Sequence, residues 1–123
     1  MPEGFNEFET AILKWFQDHY ANRELSAQIE SARLVSRNWT KVGFYVDFEV
    51  SRDALLINLN DFGGHWPISG PQLRSADIQF GGGSILWGKD GRANCIEMYA
   101  HGDFFNEDVR VFELGPGQQA GGA

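Results

Sequence analysis

Along residues 5–20 the apolar positions Phe5, Phe8, Ile12, Trp15 and Phe16, with His19, recur at steps of three and four. That spacing puts them on one face of a helix. Glu7, Glu9, Lys14, Gln17 and Asp18 fall largely on the other side, and Asn6 followed by Glu9 reads as a capping box. Leu25 and Ile29 are four apart and suit a short helical turn in an otherwise polar segment. From Ser31 the period changes to two. Val42, Phe44, Val46, Phe48 and Val50 point one way, and Gly43, Tyr45, Asp47 and Glu49 the other. "SARLVSR" is expected to pair with this strand across a turn at Asn38–Lys41.

Further strands are expected at 54–60 ("ALLINLN"), at "ADIQF" with Ala76, Ile78 and Phe80 on one face, and at "VRVFEL" near the end. Between the first two, residues 61–73 carry Gly63, Gly64, Pro67, Gly70 and Pro71, the marks of a long loop. "SILW" and "ANCIEMYA" flank Asp90-Gly91, a strong hairpin signal, because both central residues of a type I′ turn need positive φ. The elements predict an α+β fold, with an N-terminal helix packed on an antiparallel sheet of about five to seven strands. Residues 1–115 form a single domain, and the Gly-rich segment 116–123 is expected to be a disordered tail.

Composition narrows the function classes. The chain is 42% hydrophobic and 14% aromatic, which supports a packed core. A net charge of −7 disfavours nucleic acid and anionic lipid and suits a basic protein partner. There is one cysteine, so no internal disulfide or thiolate zinc set is expected. With neither a signal-like leader nor a membrane-length apolar run, a cytoplasmic location follows as the expectation.

Several motifs suggest chemistry. The run Gly81–Gly83 resembles a phosphate cradle, but strand-like residues follow it where a helix N-terminus is required. A tight turn or a bulge is therefore expected there. Glu97, flanked on its own face by Cys95 and Tyr99, is a candidate general acid or base, with His101 and Asp103 as further weak catalytic candidates. Asp61 and His65, four apart, would need to meet His101 and Asp103 to hold a metal, and nothing in the spacing brings them together. No cofactor or metal site is assigned. Cys95, mid-strand, reads as an inert small apolar residue.

Aromatic residues in predicted loops, Trp66 and Phe104-Phe105, with Asp61 and His65 nearby, are the candidate partner-binding residues. Three classes stand side by side: a non-enzymatic protein-binding module, a small metal-dependent hydrolase, and a structural domain that self-associates through a sheet edge into a homo-oligomer.

Arg37, Thr40, Gly43-Phe44, Lys89-Asp90-Gly91, Glu97 and Tyr99 together resemble the pattern of a group of small, largely uncharacterised bacterial α+β proteins. The resemblance covers about 31–51 and 70–114. Some of that group are similar to immunity proteins, which neutralise toxins by binding them, so the resemblance implies a binding function. Where the group has a leucine before the glutamate and a proline after Gly-Asp, this chain has Ile96 and Phe104-Phe105.

Overall fold

A computed structural model describes residues 2–75, 78–101 and 112–117. Its first helix, α1 (Glu7–Tyr20), starts at an Asn6 cap whose side chain accepts from the Glu9 amide at 2.8 Å. The Glu9 carboxylate reciprocates by accepting from the Asn6 amide at 2.9 Å, completing the box read from sequence. The buried face comprises Phe8, Glu9, Ile12, Leu13 and Phe16. Glu9 thus departs from the expectation of a solvated position, while His19 is exposed and stacks on Trp15 with 4.3 Å between ring centroids. The predicted turn at Leu25 and Ile29 is a nine-residue helix, α2 (Arg23–Ser31), capped by Asn22.

Two helices and a seven-stranded antiparallel sheet make up an α+β fold. β1 (Arg33–Trp39) and β2 (Gly43–Glu49) form the first hairpin. The alternation in β2 is as expected from Phe44 to Phe48, whereas Val42 falls in the turn and is exposed.

The segment at 54–60 is not a strand. Its backbone groups are taken singly: Gln28 Nε2 donates to the Leu55 carbonyl at 2.8 Å, and the Ile57 amide donates to the Gly91 carbonyl at 2.8 Å. A ladder has no free groups to propagate from. A 3₁₀ turn (Leu59–Phe62) follows.

The expected long loop contains two short strands, β3 (Ile68–Ser69) and β4 (Pro71–Ser75), with Pro71 at the first position, where its missing N–H matters least. β5 (Ile78–Lys89) runs through Gly81–Gly83 as one twelve-residue strand, and of the expected turn or bulge it is the bulge that is present: its pairing with β4 shifts register between Leu73–Gly82 and Ser75–Ile78, with Gly81 at φ 71°. Gly82 pairs with Leu73 on one side and Ala100 on the other. A Cβ there would lie 2.1 Å from the Tyr99 carbonyl oxygen, so the glycine permits close strand approach, not a bend. The side chains of Ile78 and Phe80, and all of Ala76, lie outside the described residues.

β5 and β6 (Arg92–Ala100) form the predicted hairpin, with Asp90 at φ 53° and Gly91 at φ 80°. β7 (Glu113–Gly117) pairs with β4 and continues to Gly117, and the tail beyond it lies outside the described residues. The strand order is β1-β2-β6-β5-β4-β7, with β3 added on β5.

Both helices cover one face of the sheet. Ile12, Leu13, Phe16, Leu25 and Ile29 pack in a single cluster with Val46, Phe48, Leu73, Leu86, Ile96 and Met98. The side chains alternating with these strand residues belong to the opposite face, which neither helix covers.

Candidate functional site

Three strands build that open face. In β6, Cys95, Glu97 and Tyr99 alternate with the inward Ile96 and Met98. Register places Asp47, Tyr45 and Gly43 of β2 beside them in turn, and Trp87, Ile85 and Gly83 of β5 on the other side. Glu97 is the centre of this three-by-three array.

The Trp87 indole N–H donates to Glu97 Oε1 at 3.0 Å, and register sets Tyr45 directly opposite Glu97. The negative charge of Glu97 holds the Tyr45 phenol above its ordinary pKa, with desolvation adding to the effect. Beside it, Asp47 accepts from Ser36 Oγ and Asn38 Nδ2, both at 3.1 Å, and from the Cys95 thiol. Burial, then the hydrogen bond and charge of Asp47, then Glu97, push that thiol up to about 12. A thiol so placed stays protonated and is a poor nucleophile, in keeping with its reading as inert. Tyr45 and Trp87 remain 39% and 37% exposed, so the two rings border Glu97 in contact with solvent.

The predicted site residues are dispersed. Trp66 is half-buried: its ring lies over Gly88, where an added Cβ would come within 2.5 Å of two ring carbons. It packs against the core with Phe62 and Tyr20, and the Tyr20 hydroxyl donates to the Ser69 carbonyl at 2.5 Å. Asp61 lies exposed in the 3₁₀ turn, and His65 is exposed, with Nδ1 3.1 Å from the Trp66 carbonyl. His101 directly follows β6; its amide donates to Gly81 and its ring meets Tyr99 edge-on at 5.6 Å.

Trp66 therefore marks the Gly88 end of β5 and His101 the Gly81 end. Seven residues of extended strand, roughly 23 Å, separate those ends. Among the described residues no three His, Cys, Asp or Glu side chains lie close enough to share a metal. Asp103, Phe104 and Phe105 lie outside the described residues.

A separate open recess of about 680 Å³ is lined by Glu3, Glu30, Arg33, Glu49 and Arg52 among others. Arg33 and Glu49 pair across it at 3.0 Å, and both are more than half exposed. With an exposed ion pair on its wall it reads as a solvated polar hollow.

Sequence reasoning recognised Glu97 and its face but missed Tyr45 and Trp87 as its partners. Their alternation marks them as outward, yet only the β2–β6–β5 register brings them together. The residues that carry the family resemblance include structural ones: Arg37 is ion-paired to Glu9, and Thr40 caps the first hairpin by donating through its amide and its hydroxyl to the Gly43 carbonyl. No helix among the described residues is long and apolar enough to cross a membrane. In comparisons with known proteins, no family model, curated protein or solved structure matches the chain.

Proposed function

We propose that this chain is a non-enzymatic protein-binding module of the cytoplasm, of the immunity type that the sequence resemblance implies, with a basic partner. The observation that carries this reading is the open sheet face centred on Glu97, where two exposed aromatic rings border a carboxylate. Such a mixture of aromatic and charged groups suits a protein interface, in which a few large side chains contribute most of the affinity. The loop residues Trp66, Asp61 and His65 are a second candidate surface, and Phe104 and Phe105, named with them from sequence, lie outside the described residues. A metal-dependent hydrolase draws no support from the described residues, because the end of β5 that carries Trp66 is far from the end that carries His101.

The test is affinity capture with mass spectrometry, using wild type, Tyr45→Ala/Trp87→Ala and Trp66→Ala, each shown to be folded by circular dichroism. One stoichiometric partner, lost in the double variant and retained by Trp66→Ala, is the expected result. Retention by the double variant would move the interface elsewhere.

A further inference from the structure

We propose that the centre of the open sheet face binds an arginine guanidinium presented by a basic protein partner, with Glu97 as acceptor and Trp87 and Tyr45 on either side. The inference rests on the binding reading above and specifies the chemistry of the partner.

On the paired strands β1, β2, β5 and β6, Glu97 and Asp47 differ from Glu49 in their partners. Glu9, Asp18 and Glu49 are each paired with a cation of the chain. Glu97 and Asp47 accept only from neutral donors among the described residues. Asp47 already accepts from Ser36, Asn38 and the Cys95 thiol, so it has little capacity left and contributes chiefly its field. Glu97 accepts from the Trp87 indole N–H. A carboxylate offers about four lone-pair directions, which leaves room for the two donors of an incoming group. A guanidinium presents two parallel N–H donors and matches that vacancy better than a single ammonium does.

The flanking rings favour the same ligand. β2 and β5 lie on opposite sides of β6, with Tyr45 opposite Glu97 and Trp87 opposite Cys95, so the two are rooted roughly 12 Å apart, two strand spacings across and two residues along. A planar cation held at Glu97 lies between these two positions, and aromatic faces attract cations. The net charge of −7 steers a basic partner toward this chain and opposes approach by a second copy of itself.

The experiment is a ¹⁵N-labelled titration of the full chain with the capped tripeptides Gly-Arg-Gly, Gly-Lys-Gly and Gly-citrulline-Gly. Citrulline keeps the shape of arginine and removes its charge. The expected result is saturable, salt-sensitive movement of the Trp87 indole N–H resonance with the arginine peptide. Binding should be on the order of tenfold weaker with citrulline, weaker with lysine, and on the order of tenfold weaker for Glu97→Gln.

Equal response to arginine and citrulline in wild type would overturn the proposal without recourse to any variant, so a misfolded Glu97→Gln would not protect it. Movement of the same resonance with protein concentration alone, accompanied by dimer in sedimentation, would make a second copy the occupant and also overturn it. If the captured partner is lost with Tyr45→Ala/Trp87→Ala but retained by Glu97→Gln, the binding module stands and the guanidinium assignment falls.

Discussion

Glu9 of α1 and Arg37 of the edge strand β1 meet in a forked ion pair, with Nε 2.6 Å from Oε2 and Nη2 2.7 Å from Oε1. The same carboxylate caps the helix by accepting from the Asn6 amide. The hydrogen bond to Glu9 raises the Arg37 pKa further, so the cation is permanent. One side chain therefore fixes both the start of α1 and the position of β1 beneath it.

Removing either partner should be costly, and more so for Arg37. Arg37→Met leaves the Glu9 carboxylate buried without its cation, and should cost about 2–3 kcal/mol once the partial exposure of Arg37 is allowed for. The double variant Glu9→Gln/Arg37→Met should cost less than the sum of the single changes. Urea denaturation of the four proteins measures the coupling.

Gln28 is completely buried and fully satisfied. Its Nε2 donates to the carbonyls of Leu55 and Gly91, both at 2.8 Å, and its Oε1 accepts from the Ala93 amide at 2.9 Å. Gln28→Leu preserves much of the volume but strands the Leu55 carbonyl and the Ala93 amide, while the Gly91 carbonyl keeps its bond from Ile57, and should destabilise the fold by about 2–4 kcal/mol. Hydrogen exchange at the Ala93 amide should accelerate with it, and an unchanged rate would show that water replaces the glutamine.

Gly88 has no room for a side chain. A Cβ there would lie 2.4 Å from the Arg92 carbonyl oxygen and equally close to the Trp66 ring. Gly88→Ala should displace Trp66, alter tryptophan fluorescence and cost about 1–3 kcal/mol. Adding Trp66→Ala should relieve only part of the strain, since the contact with the Arg92 backbone remains.

Alkaline pH should destabilise the protein through its protonated groups. The folded Cys95 thiol titrates at about 12, above its unfolded value, so its contribution is full below the unfolded pKa and is lost as pH rises toward 12. Tyr20, raised by burial, and Tyr45, raised chiefly by Glu97, act in the same direction. Stability should decline from near pH 9, with the cysteine contributing at most about 1.4 kcal/mol per pH unit. Cys95→Ala should flatten that decline, as measured by denaturation midpoints between pH 8 and 11.

The sequence made the local features legible, and the structure added what depends on partners. The capping box, the first hairpin and the Asp90-Gly91 turn all follow from residues within a few positions of one another, and all three are present. The strand expected at 54–60 fails because its bonding partners, Gln28 and Gly91, are distant in sequence. Gly81–Gly83 suggested a turn or a bulge, and the bulge is there, but nothing local reveals that β4 and β6 press on that strand from both sides. Glu97 was recognisable as an outward carboxylate. Its relation to Tyr45 and Trp87 is a fact of register, which no spacing along one strand encodes.

The strand order divides the array around Glu97 between two hairpins. Tyr45 belongs to the β1–β2 hairpin, whereas Trp87 and Glu97 belong to the β5–β6 hairpin. Each hairpin closes over a short loop and forms early, but their union across β2 and β6 joins segments some fifty residues apart. Neither half alone displays the complete array around Glu97. The array is therefore complete only once the two hairpins have joined.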